Sequence, residues 1–131
     1  MLGVSWVATV LLSVDLSEDP ALVEGFSHWL RLEAPRGEPA GTLGVGYLEQ
    51  LVALEQGWGG WKYPEVRLWG GALNDADLPA VVNRFAATPW RHPDSVQLLI
   101  TDQEQAAFRL WMIRDGRAVQ YAPLPEFGPD E

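Results

Sequence analysis

Glu24 and His28 stand four residues apart, a spacing that puts both side chains on one face of a helix, where they could supply two ligands to a metal ion. His92 is the one other histidine, and cysteine is absent, so no full ligand set is legible. Without cysteine there is no thiol nucleophile, zinc–thiolate centre, iron–sulfur cluster or disulfide. Two carboxylate pairs, Asp75 with Asp77 and Asp102 with Glu104, have a spacing that acid–base chemistry could use. The first pair sits at a helix start, where the positive end of the helix dipole accounts for both acids without catalysis. The second falls in a connection ahead of a hairpin. None of the five serines lies in a Gly-x-Ser-x-Gly elbow, and there is no phosphate-binding P-loop. Gly41-x-x-Gly44-x-Gly46 lacks the third glycine spacing of a dinucleotide loop. The expectation is no metal, no cofactor and a lean away from enzyme. Only a site assembled by spatial proximity would give catalysis.

His92-Pro93-Asp94 resembles the tripeptide of J-domain co-chaperones. In that family it lies in a loop between two helices, beside a basic helix. Here a β-like run follows at once and the neighbours are not basic, so the segment reads as a turn. Trp58-Gly-Gly-Trp61 is the least ordinary local feature, because two flat indoles are set on a backbone free to bend. Together with His92 these tryptophans are the candidate lining of a ligand pocket; the competing reading lays both rings over the edge of the core.

Regular elements must position these groups. Residues 4–14 alternate, with Val4, Trp6, Ala8, Val10, Leu12 and Val14 on one side, and form a first strand with that side on the core. Ser17-Glu-Asp-Pro20 starts a helix that carries Leu22, Phe26, Trp29 and Leu30 at helical spacing and stops near Glu33. A Pro- and Gly-rich loop follows over 34–42, then a second helix over 46–56 closed by Gly57. Val66 and Leu68 belong to a strand ended by Gly70-Gly71. Asp77 caps a third helix with Pro79 in its first turn, and Thr88-Pro89 ends it. A strand over 95–101 precedes a hairpin turned by Asp115-Gly116, which sets Arg114 against Arg117, Met112 against Val119 and Leu110 against Tyr121. The order β-α-α-β-α-β-β-β implies an α+β fold: a mostly antiparallel five-stranded sheet with about three helices on one face, compatible with a ferredoxin-like relative. The expected boundaries are a single domain over 1–123 and a loose tail over 124–131.

The formal charge is −9, from 18 acids against 9 bases. This field repels phosphate backbones and anionic membrane surfaces, and it admits a basic protein partner. The apolar N-terminal run lacks a positive flank and stops at Asp15, too short for a membrane span, so it reads as a strand rather than a signal peptide. A cytoplasmic location is compatible with the absence of cysteine.

If Val66, Leu68, Val96, Leu98, Ile100, Phe108, Leu110 and Met112 face the core, the opposite side of the sheet carries Arg67, Trp69, Leu99, Arg109, Trp111 and Ile113, with Val7 and Leu11. Trp and Arg dominate interface hot spots, so these residues are the candidate docking surface. The expectation is a non-enzymatic protein-binding module, homodimeric or with a protein partner. Small acidic immunity proteins that neutralise a toxin share this general character. The alternative is a small enzyme or ligand-binding domain with its pocket near Trp58, Trp61 and His92.

Overall fold

The computed structural model describes residues 7–37, 41–51, 66–102 and 107–122. Its elements run β1 (Val7–Asp15), α1 (Pro20–Leu32), β2 (Glu49–Gln50), β3 (Val66–Asn74), α2 (Leu78–Ala87), β4 (Gln97–Asp102), β5 (Ala107–Arg114) and β6 (Arg117–Ala122). The strands form a single sheet in the order β2-β3-β1-β4-β5-β6, and every pairing is antiparallel. The α+β class therefore holds, with six described strands and two described helices in place of five and three. Alternating direction across the sheet makes β1 parallel to β2 with β3 between them, and β3 parallel to β4 with β1 between them. Each helix thus joins two parallel strands that are split by a third. Among the described residues no helix is long and apolar enough to cross a membrane.

Local sequence explains the helix ends. Asp19 caps α1 by accepting from the Ala21 amide, and Pro20 occupies the first turn, where its missing N–H does no harm. Asp77 caps α2 by accepting from the Ala80 amide at 3.3 Å, and Thr88 ends it before Pro89. Val23, Phe26 and Leu30 of α1 and Leu78, Val81 and Phe85 of α2 are buried at helical spacing. They join one core with Ala8, Val10, Leu12 and Val14 of β1, Leu73 of β3, and Leu98 and Ile100 of β4. Trp90 closes that core: its indole N–H donates to the Phe85 carbonyl at 2.9 Å and its ring meets Phe26 edge-on.

The helix expected over 46–56 does not form in its described part. Residues 44–48 are irregular, Glu49–Gln50 is the edge strand β2, and 52–56 lie outside the described residues. Tertiary contacts outweigh the helical pattern. The amides of Gly44 and Val45 donate to the Ala34 and Leu30 carbonyls, and the Leu48 amide donates to Ser27 Oγ. The segment is thereby tied along α1 as an extended strap. Gly44 has φ +92°, and a Cβ there would stand 2.4 Å from the Arg31 carbonyl oxygen, so only glycine fits.

The same strap explains why Gly70-Gly71 does not end the second long strand. β3 runs through both glycines to Asn74. A Cβ on Gly71 would lie 2.1 Å from the Tyr47 carbonyl oxygen, and one on Gly70 would lie 2.9 Å from the Leu51 side chain. The pair is a place where another segment approaches closely from both sides, the second use of glycine within strands.

The β5–β6 hairpin turns at Asp115 (φ +54°) and Gly116 (φ +74°), both positive as a type I′ turn requires. Arg114 opposes Arg117 and Met112 opposes Val119, as expected. Leu110 opposes Ala122 rather than Tyr121, because an irregularity between Leu110 and Trp111 inserts one residue. The segments 1–6 and 124–131, and with them Val4, Trp6 and the expected tail, lie outside the described residues.

Candidate functional site

Strand register assigns each side chain to a face. Ala8, Val10, Leu12 and Val14 point to the helices, so their cross-strand partners do too: Leu73, Gly71, Trp69 and Arg67 on β3, then Ile100 and Leu98 on β4, and through β4 Arg109 and Trp111 on β5. Of the six residues expected to form a docking face, five therefore lie on the helix side. Trp111 is 9% exposed and Ile113 5%, both in the core, and Trp69 packs against its edge. Arg109 and Trp111 line a cleft of about 280 Å³ under α2 with Leu78, Pro79, Val82 and Asn83. Leu99 alone stands on the opposite face. The assignment of β3 and β5 is shifted by one position. Both parities of β5 are apolar, and β3 was cut at its glycines before Leu73 could reveal which side is inward.

The face left by the helices is still apolar, with different residues. It reads in rows across the strands. Leu68, Ser13, Gln97, Met112 and Val119 form one row; Gly70, Leu11, Leu99 and Leu110 the next; Ala72, Thr9, Thr101 and Phe108 a third; and Asn74 and Val7 close it. Leu51 folds over Gly70 beside Leu11, so leucines continue across the middle row from the β2 side to β5. Leu51 is 50% exposed, Phe108 49% and Tyr121 42%. Leu11, Leu68, Leu99, Leu110 and Met112 are half-buried. No described element packs upon this face. Its charges are few and sorted: Glu49 stands at the β2 edge and Asp15 at the end of β1, whereas Arg114 and Arg117 sit opposite each other on β5 and β6. The Arg114 guanidinium lies over the Tyr121 ring at 5.6 Å.

A second cluster joins the turn after β1 to the turn before β4. Glu18 is 3% exposed and accepts three backbone amides, from Asp19 at 3.0 Å, Arg91 at 2.9 Å and His92 at 2.9 Å. Beside it Ser17 Oγ lies 2.5 Å from Asp15 Oδ2 and 3.1 Å from His92 Nε2. The sequence offers no partner for Ser17, because 75 residues separate it from His92. The polarity of the contact runs against catalysis. Asp15 can only accept, so it takes the serine proton, and His92 Nε2 then donates to Oγ. A nucleophilic serine needs the reverse, with imidazole accepting. Glu24 and His28 are exposed on α1, Asp77 is occupied as a helix cap, and Asp75 has positive φ at 51° just before it. Trp58, Trp61 and Glu104 lie outside the described residues.

The hydrogen bonds from the Ser17 hydroxyl and amide hold the Asp15 carboxyl below its ordinary value of 3.8; desolvation opposes them, and the His92 charge adds the smallest lowering. A carboxyl lowered in the folded state adds stability above its unfolded value, and that contribution disappears as pH falls through the folded value. Urea midpoints measured from pH 5 down to pH 2 will therefore fall less steeply in Asp15→Asn than in the parent. Equal slopes would remove the linkage.

No family model, no curated protein and no solved structure matches the chain.

Proposed function

We propose that this chain is a non-enzymatic protein-binding module that docks through the open face of its sheet. One observation carries the reading: a leucine row crossing β3, β1, β4 and β5 on the side that neither helix covers. Contiguous apolar surface of this extent is where monomeric proteins concentrate their contacts with others. The split strand pairs correspond to a ferredoxin-like sheet, extended at the β4 edge by the β5–β6 hairpin. In this arrangement both helices fall on one side and the other stays open, which supports docking by the sheet. The net charge of −9 favours a basic surface on a foreign partner, the property that toxin-neutralising immunity proteins exploit.

The competing reading is a small enzyme or ligand-binding domain near Trp58, Trp61 and His92. Its support is that Arg67 Nε and Trp69 Nε1 are buried donors with no hydrogen-bond partner among the described residues. The binding reading is preferred because the Ser17–His92 contact has the wrong polarity for a nucleophile.

The test compares three tagged baits: the parent chain, Leu99→Arg on the open face, and Glu24→Gln on the exposed side of α1. Each is checked for folding by circular dichroism. Proteins retained by the parent are purified and titrated directly. The expected outcome is a protein bound equally by parent and Glu24→Gln and at least about tenfold more weakly by Leu99→Arg. Equal affinities for all three baits, or no protein bound directly by the parent, would overturn the proposal.

A further inference from the structure

We infer that the cleft between α2 and β5 is a binding site for a small organic carboxylate built on one flat apolar ring. The cleft lies on the helix side of the sheet, so the inference is independent of docking through the opposite face.

The cleft follows from the architecture. Six strands span about 24 Å at roughly 4.8 Å per spacing. Two helices packed at about 10 Å between axes shield some 20 Å of that width. The helix layer is therefore short by about one strand, on the side where the β5–β6 hairpin extends the sheet. Leu78, Val81 and Phe85 seat α2 on the core. Its flank, carrying Pro79, Val82 and Asn83, is left facing β5. The strand register sends Arg109 and Trp111 up from β5 towards that flank, since they stand opposite Ile100 and Leu98, both buried under the helices. The space enclosed is about 280 Å³, at the small end of the range for small-molecule sites and enough for a ligand of one ring.

The lining names the ligand class. Leu78, Pro79 and Val82 make an apolar wall, and the Trp111 indole supplies a flat aromatic surface against which a second ring packs. Polar groups come from both walls: the Arg109 guanidinium from the sheet and the Asn83 carboxamide from the helix. No acid is among these six lining residues, although the whole chain has a charge of −9. The nearest acid in sequence, Asp77, is turned back onto the Ala80 amide as the helix cap. Arg109 also interacts within the chain, and the five N–H donors of its planar fork let it hold that partner and a ligand carboxylate together. Arg109 is half-buried, and a guanidinium flanked by apolar walls bonds an anion more strongly than one in open water. A cationic ligand would meet like charge there.

The probes are phenylacetate, its neutral analogue phenylacetamide and the cation phenethylamine. Each is titrated into the full ¹⁵N-labelled chain and followed by two-dimensional NMR. Phenylacetate is expected to saturate with a Kd on the order of millimolar, as its size allows. The shifts are expected at the Val82, Asn83 and Arg109 amides and the Trp111 indole N–H. Phenylacetamide is expected to bind at least about tenfold more weakly, and phenethylamine not at all. Arg109→Gln is expected to lose about tenfold in phenylacetate affinity, and Val82→Phe, which fills the cleft, to abolish binding. Leu99→Arg, on the open face, is expected to leave phenylacetate affinity unchanged, which separates this site from the docking surface. If Arg109→Gln folds poorly, the acid–amide comparison on the parent and Val82→Phe still decide the matter. No saturable shift at these residues up to about 10 mM phenylacetate, equal affinity for acid and amide, or binding undiminished in Val82→Phe would overturn the inference.

Discussion

Trp111→Ala will lower the unfolding free energy by about 3–5 kcal/mol, the usual range for removing a buried aromatic side chain. Leu110→Thr, one residue away, will lower it by about 1 kcal/mol or less, because it changes a half-buried position while keeping a good strand former. The contrast follows from the register. Trp111 is opposite Leu98, which is fully buried under the helices, and Leu110 is opposite Leu99 on the open side. Denaturant unfolding at protein concentrations too low for association measures both. A larger loss at Leu110 than at Trp111 would mean that β5 is displaced by one position, which exchanges every side chain between the two faces.

Glu18→Ala will be nearly as damaging, at about 3 kcal/mol. The Glu18 carboxylate is the buried partner of three amides, two of them on Arg91 and His92, more than seventy positions away in sequence. A hydrogen bond to a charged group contributes about 1.5–3 kcal/mol, and a buried amide left without a partner costs a further penalty. Glu18→Gln will recover only part of the loss, because its single carbonyl oxygen cannot serve both sides and its NH₂ group faces other donors. Two measurements check this: the denaturant midpoint, and amide exchange at Arg91 and His92, which will accelerate more than exchange within β1. Unchanged protection at those amides would show that another group holds the turn.

Most of the local structure was legible along the chain because it depends on near neighbours. Asp19 with Pro20 and Asp77 with Pro79 start helices whichever strand lies beside them, since caps satisfy amides within three residues. Asp115-Gly116 turns the hairpin because both residues tolerate positive φ. The alternation of β1 chose its inner face correctly over Ala8–Val14, since only one of its two sides is wholly apolar. The helix expected over 46–56 failed for a nonlocal reason: Tyr47, Leu48 and Leu51 have helical spacing, yet the Leu48 amide is held by Ser27 and the Leu51 amide by Leu68, and the segment lies close against Gly70 and Gly71. The buried role of Glu18 and the Ser17–His92 contact were equally hidden, because each joins residues more than seventy positions apart.

The candidate site divides in the same way. That a two-sided apolar sheet would exceed what the helices cover was already implicit in the residues, because a strand such as Phe108–Ile113 has apolar side chains on both sides and a helix layer shields one. Which side would remain open was not. Alternation has a period of two, so Arg109, Trp111 and Ile113 and their neighbours Phe108, Leu110 and Met112 make equally good inner faces when read alone. The choice was made by packing at a distance: Leu73 beyond the glycine pair, Leu98 and Ile100 beside β5, and α2 above Trp111. Those contacts form only when the strands pair. The sequence by itself determined that an apolar face exists, and the tertiary structure determined that Leu11, Leu99 and Leu110 occupy it.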